Sequence, residues 1–463
     1  MIWEMIARLR CIWLLVCVSI LVATQSLAGL ADQVVEKTFQ NGLKVILLEN
    51  HKAPVVTFQV WYRVGSRNEQ WGKTGLSHML EHMMFKGSKR YSAQEFTKII
   101  AENGGNDNAF TSEDFTAYFE NIGSDKVHVL IDIEADRMHN LVLKDEDFKT
   151  ERMVVLEERR MRTEDDPQGY LVEQLQAVAF QTSPYHWPTI GWKEDIERFT
   201  LADLKTYYDV YYNPVNAFIV VVGDFRREDL LSRIEKAFAA IPGGSAPDQK
   251  KDVDQPQTGE RRVYVKREAE LPYLVMAYHV PNLRSPDGYV LEVIAALLSS
   301  GKSSRLYRSL IQEKQLALSV DADNSLLSRD PNLFTLSAQP LAEDNAAEVE
   351  KTLDEEIERL LKEPVGDKEL EKAKNQLEAA FVFGQASFFY QGMLLAQHEI
   401  ALDWRAVDDY IPSIRKVTPE DIIRVARLYF TEDNRSVGRL VPLPPQEGKP
   451  APKEMPASGR VIR

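Results

Sequence analysis

The sequence predicts an α+β protein, with helices and strands mixed along the chain and two homologous domains in tandem. Three observations carry this. Strand-like and helix-like runs alternate from end to end, and neither period dominates any long stretch. Residues 243–261 are rich in Gly, Pro and charge and poor in large apolar side chains, which is the composition of a linker. Around that linker one pattern recurs without gaps at an offset of 218: Thr200, Leu201, Ala202 and Asp203 lead to Tyr211, Tyr212 and Asn216, as Thr418, Pro419, Glu420 and Asp421 lead to Tyr429, Phe430 and Asn434. Each copy reads as a capped helix, an aromatic end and a strand. A weaker match sets residues 143–158 against 365–380, with Ala380 where Glu158 stands. The layout implied is a first domain over 32–242, the linker, a second domain over 262–445 and a flexible tail over 446–463.

Taken in order, the chain opens with Arg8 and Arg10 before an apolar run over residues 11–23, and Ser26, Leu27 and Ala28 have the small-x-small form of a cleavage site. This predicts an export signal over 1–28 and a periplasmic location if the host is Gram-negative. The apolar run is short for a membrane span, and a membrane enters only if the signal stays uncleaved. Both cysteines, Cys11 and Cys17, fall inside it, so the mature chain has no disulfide, thiolate ligand or cysteine nucleophile. Histidine and carboxylate remain as metal ligands. The formal charge of -14, with no basic stripe, argues against a nucleic-acid binder.

Residues 34–48 read as strand, turn and strand, with Asn41 and Gly42 at the turn, and 55–64 as a further strand. Ser92 and Glu95 form a capping box for a helix over 92–101 that Gly104 and Gly105 close. Two strands with a tight connection follow over 108–111 and 115–121, then helices over 124–140, 145–162, 168–180 and 200–212. Residues 217–223 are a wholly apolar strand of the buried type.

The stretch that carries chemistry is His78, Met79, Leu80, Glu81, His82. On a helix, His78, Glu81, His82 and Phe85 share a face, while Leu76, Met79, Leu80, Met83 and Met84 make the other directions apolar. A buried carboxylate beside two imidazoles is costly unless a charge sits among them, and a divalent cation would answer that cost. Structural histidines are the alternative at this point. Glu151 and Glu158 lie two turns apart on one face of a later helix, where a solvated acidic face paired with Arg159, Arg160 and Arg162 is the ordinary reading of the helix taken alone. His128 and His139 have no matching carboxylates, and His186 reads as a structural loop residue.

The HxxEH string, with Glu158 seventy-six residues beyond His82 and Glu151 seven before that, resembles the pitrilysin/insulinase family of inverted-motif zinc peptidases. The resemblance continues through residues 104–118, 151–160, 185–192 and 303–310, and is strongest to the mitochondrial-processing-peptidase-like bacterial members. It implies domains that are each a mostly antiparallel sheet with packed helices, together forming a clamshell. It also implies one zinc ion held by His78, His82 and Glu158, Glu81 as general base, and Glu151 orienting the site. The activity implied is hydrolysis of peptides or unfolded segments, with substrate added as a strand along Asn108 and Ala109. A non-catalytic peptide-binding or assembly subunit of the same fold is the alternative. One departure stands out. Where active members carry an arginine and, seven residues on, a tyrosine, this chain has Ile311 and Leu318, and Arg305 and Tyr307 have the wrong spacing. The expectation is a homologous partner subunit that supplies the pair, as a heterodimer, with a homodimer also possible.

Overall fold

A computed structural model describes residues 29–248 and 254–444; the expected signal, the middle of the linker and the expected tail lie outside the described residues. Strands β1 (Val34–Thr38), β2 (Lys44–Glu49), β3 (Val55–Tyr62), β4 (Asn106–Thr111), β5 (Thr116–Gly123) and β6 (Ala217–Gly223) form a six-stranded sheet in the order β1-β2-β6-β3-β5-β4. Only the β2–β6 pair in it is parallel. Strands β7 (Arg261–Glu268), β8 (Tyr273–Val280), β9 (Ala317–Asn324), β10 (Asn332–Pro340) and β11 (Arg435–Leu443) form a second sheet in the order β7-β11-β8-β10-β9, and again one pair, β7–β11, is parallel.

The two sheets therefore have the same plan, with β2, β6, β3, β5 and β4 answering to β7, β11, β8, β10 and β9. The offset of 218 relates Val55 to Tyr273 and Ala217 to Arg435, the first residues of equivalent strands. It is hard to see in the strands by sequence because either sheet needs apolar side chains at alternating positions, not particular ones. Strand β7 already begins at Arg261, and Gln257, within the expected linker, donates to the Arg435 carbonyl at 2.7 Å, so the linker's end is built into the second sheet.

Six helices bear on the site: α1 (Leu76–Met83), α2 (Asp145–Arg159), α3 (Pro167–Ala179), α4 (Pro286–Ser299), α5 (Asp367–Gly384) and α6 (Phe388–Ala401). On the first sheet Val56, Phe58, Val60 and Tyr62 of β3 point into the core shared with α1, while Trp61 points to the other face with Phe218, Val220 and Val222 of β6. That second face is covered by α6, which comes from the other half of the chain, through Leu394, Leu395 and Ile400. Reciprocally, α3 of the first half covers the second sheet, packing Leu171, Leu175 and Ala179 on Val265, Val275, Ala277 and Leu440. Strand β6 is apolar throughout because both its faces are buried. The exchange also needs room: a Cβ on Gly392 of α6 would stand 2.5 Å from Gln59 Nε2, which is itself held by the Phe389 carbonyl.

Arg159 corrects the sequence reading. It is buried, not part of a solvated face, and donates to both oxygens of Glu173 on α3 at 2.8 and 3.0 Å and to the Gly191 carbonyl at 2.7 Å. Helix α2 ends there instead of running to Arg162. One wider turn, Arg160–Glu164, follows, in which the Asp165 amide reaches the Arg160 carbonyl and Glu164 comes within 3.4 Å of Arg159. Glu157 and Arg160 do form the exposed pair expected of them, at 2.9 and 2.5 Å. Arg159 ties α2 to the exchanged α3. Replacing it by alanine leaves Glu173 buried without its partner and is expected to cost about 3–5 kcal/mol, read as a fall in the urea midpoint followed by tryptophan fluorescence.

Candidate metal centre

Helix α1 starts at a place where the backbone has no cap of its own. Gly75, at its N-cap, sits at φ 91° and has no side chain to accept the first amides. Glu69 takes that part: its two oxygens accept from the Gly75 amide at 2.6 Å and the Ser77 amide at 2.7 Å. Gly191 lies against this start, and a Cβ there would be 2.5 Å from Gly75 Cα. Two bare glycines thus let the 185–192 stretch lie on the helix end. Leu76, Met79, Leu80 and Met83 are buried, which leaves His78, Glu81 and His82 half-buried on the remaining face.

Helix α2 crosses that face and delivers Glu151 and Glu158. His82 Nδ1 is 2.8 Å from Glu151 Oε1, while Glu158 Oε2 lies 3.4 Å from His82 Nε2 and 3.8 Å from His78 Nε2. Among the described residues, His78, His82 and Glu158 are a group of three donors lying within 4.8 Å of one another that could hold a metal ion. Two atoms sharing one tetrahedral ion at about 2.1 Å stand roughly 3.4 Å apart, so the spacing suits such an ion with little movement. With Nδ1–H donated to Glu151, His82 turns Nε2 toward Glu158, and a cation bound there would displace the proton that the two carboxylates otherwise hold on the ring. Glu151 has no place among the three donors, and its second oxygen is paired with Lys86.

The electrostatics agree with this division. Burial lowers the pKa of His78 to about 4, which keeps its ring neutral. Burial also opposes charge on His82, but its bonds to Glu151 and Glu158 win and lift it to about 9. Burial resists ionisation of Glu158, yet the bond from His82, the neighbouring His78 at the low pH where its ring is protonated, and the charges of Arg162 and His82 bring it down to about 2. The donor set is thus arranged to stabilise positive charge at its centre. Glu81 behaves otherwise: burial raises its pKa, against the hydroxyl of Thr111, which donates to Oε2 at 2.5 Å.

Thr111 ends β4, an edge strand of the first sheet, and Asn108 and Ala109 lie on the same strand, Asn108 exposed. Asn108 Oδ1 accepts the Ala109 amide at 2.9 Å. His186 is buried, bonded through Nδ1 to the Ser183 carbonyl at 2.9 Å and packed between Trp71 and Trp187, and is not one of the three donors. Arg305 is engaged by both oxygens of Glu369, and Leu318 is an exposed residue of β9. Sequence reasoning missed Glu69 and Thr111, which leave no periodic signal. Arg162 stands four residues beyond Glu158, and that spacing was the available sign of their pairing; Lys86, which pairs with Glu151 from the other helix, left none.

Fold and site together define a two-domain peptidase with an inverted histidine motif. Residues 44–192 match the family described as insulinase (peptidase family M16), and residues 198–377 match the family described as peptidase M16 inactive domain. The chain is 34% identical to a Helicobacter pylori protein named zinc protease PqqE, over 88% of this chain and 92% of that one. It is 28% identical to a Bacillus subtilis protein named uncharacterized zinc protease YmxG, over 86% and 95%. The crystal structure of a protease from Helicobacter pylori superposes with a TM-score of 0.86 at 33% identity, covering 88% of this chain and 99% of that one. The periplasmic protease PqqL from Escherichia coli shares the fold, with a TM-score of 0.74 at 16% identity over 89% of this chain and 48% of the other. The chain belongs to the insulinase family of peptidases, M16.

Removing the Glu69 side chain leaves two buried amides without acceptors at the start of α1. Glu69→Ala is expected to cost about 1–3 kcal/mol and to loosen the two histidines. A lower thermal midpoint together with faster loss of bound metal to a chelator would show both effects.

Proposed function

We propose that this chain is an exported zinc endopeptidase that hydrolyses peptides or unfolded segments. The observation that carries the reading is the convergence of His78 Nε2, His82 Nε2 and Glu158 Oε2, with the Glu81 carboxylate held on the same face by Thr111. His78, His82 and Glu158 would hold one zinc ion, which when bound acidifies water and polarises a carbonyl. Glu81 accepts the proton of the attacking water and returns it to the leaving amine nitrogen. Its raised pKa suits a group that must take a proton and give it back. Thr111 occupies Oε2 and leaves Oε1 for that proton. Glu151 fixes the ring and tautomer of His82.

The peptide adds beside β4, where Asn108 and Ala109 offer main-chain groups on the open edge of the sheet. Pairing through the backbone gives affinity with little demand on sequence. In place of an arginine and tyrosine in its second domain the chain has Ile311 and Leu318, and Arg305 is occupied by Glu369. The pair therefore comes from a homologous partner subunit, with a second copy of this chain as the other arrangement to be tested.

Glu81→Gln is expected to keep stoichiometric zinc and to lose cleavage of a quenched peptide library by about a hundredfold or more; equal activity in the variant would remove Glu81 from the reaction. Glu151→Gln is expected to weaken zinc retention against a chelator by about tenfold. Affinity capture of the native protein is expected to bring down a homologue, and full activity of the purified chain alone would make that partner unnecessary.

A further inference from the structure

At the end of the first sheet remote from Glu81, α6 does not reach across the whole face. A cleft of about 690 Å³ is left between the start of β3, the end of β5 and the turn that joins α5 to α6. It is preformed. Phe389 packs on Phe119 of β5 at 4.5 Å between ring centroids, and the Phe389 carbonyl accepts from Gln59 at 3.2 Å. Its lining mixes apolar surface from Val55, Ile122 and Phe388 with side-chain amides and one cation, Lys52, and no acidic side chain lines it. One of those amides is incomplete: Gln391 is 6% exposed and donates to the Gln385 carbonyl, but its Oε1 is buried with no hydrogen-bond partner. A turn of this side chain toward the cleft would bring the unpaired acceptor to an N–H of a visitor.

The position of the cleft says which visitor. Asn106, the first residue of β4, lines it, and Thr111 at the other end of β4 holds Glu81. At about 3.3 Å per residue, the two ends of β4 are roughly 17 Å apart. A peptide paired along β4 with its scissile bond at Glu81 would pass into the cleft roughly five residues away. We propose that this cleft is a second binding site for the same substrate, receiving a neutral or acidic peptide segment beyond the paired strand through Gln391 Oε1, Lys52 and the apolar floor. The inference rests on the peptidase reading. It makes chain length and distal charge, not the residues at the cleaved bond, the main source of preference.

The test uses quenched peptides of about six residues, which span β4 only, and of about fourteen residues with an acidic distal end. In the parent the longer peptide is expected to have a kcat/KM about tenfold higher, carried by KM. Ala386→Trp, which fills the mouth of the cleft from an exposed position, should abolish that advantage and leave the short peptide unchanged. Lys52→Glu should reduce the advantage only for the acidic end. Equal rates for both lengths in the parent, or a parallel fall for both in Ala386→Trp, would overturn the proposal. Fluorescence anisotropy with the Glu81→Gln protein reads the cleft independently of turnover. Tighter binding of the longer peptide that Ala386→Trp removes supports the cleft even if no peptide is cleaved, an outcome that would instead remove the peptidase reading; binding independent of length overturns the cleft.

Discussion

His82 lies between two carboxylates, Glu151 at 2.8 Å from one ring nitrogen and Glu158 at 3.4 Å from the other, and much of the first domain follows from keeping it there. The two glutamates come from one helix and the imidazole from another, so α1 and α2 must cross at a fixed height and rotation. Height is set at the start of α1 by Glu69 and the contact of Gly75 with Gly191. Rotation is set by the buried Leu76, Met79, Leu80 and Met83, which leave only one face for polar groups. At the far end of α2, Arg159 anchors to Glu173 one residue beyond Glu158. A centre that stabilises positive charge can then be built from side chains whose rotamers are largely decided by packing.

The duplicated half shows what the same plan becomes without that constraint. In α4, the helix after the strand equivalent to β3, Leu291, Val293, Ile294, Leu297 and Leu298 are all buried, and no polar face has to be left accessible. The two halves are not independent bodies, because α3 and α6 are exchanged between the sheets. Each sheet needs a helix from the other half to bury its second face. The exchange also explains why the cleft beside β4 has one wall from each half: α6 covers the first sheet only as far as its own N-terminal turn.

Much of this was legible in the sequence. The HxxEH spacing and the apolar residues around it fixed the face of α1, the capping box at Ser92 and the capped helices at Thr200 and Thr418 formed as read, and the apolar 217–223 strand is buried on both sides. Less legible were interactions between residues distant in the chain with no period to mark them. Thr111 on Glu81, Glu69 on the start of α1 and Arg159 inside instead of outside all depend on which surfaces meet. A charged residue looks the same in sequence whether it faces water or a buried partner.

By itself the sequence determined the α+β class, the duplication, and a set of histidines and glutamates whose spacing allows them to share faces, because helix and strand periods are local and survive in any packing. Only the tertiary structure decided that the faces of α1 and α2 meet, that each sheet is closed by the other half's helix, and that the open edge beside Glu81 leads into a cleft. These follow from which apolar surfaces bury one another, and that choice belongs to the whole chain.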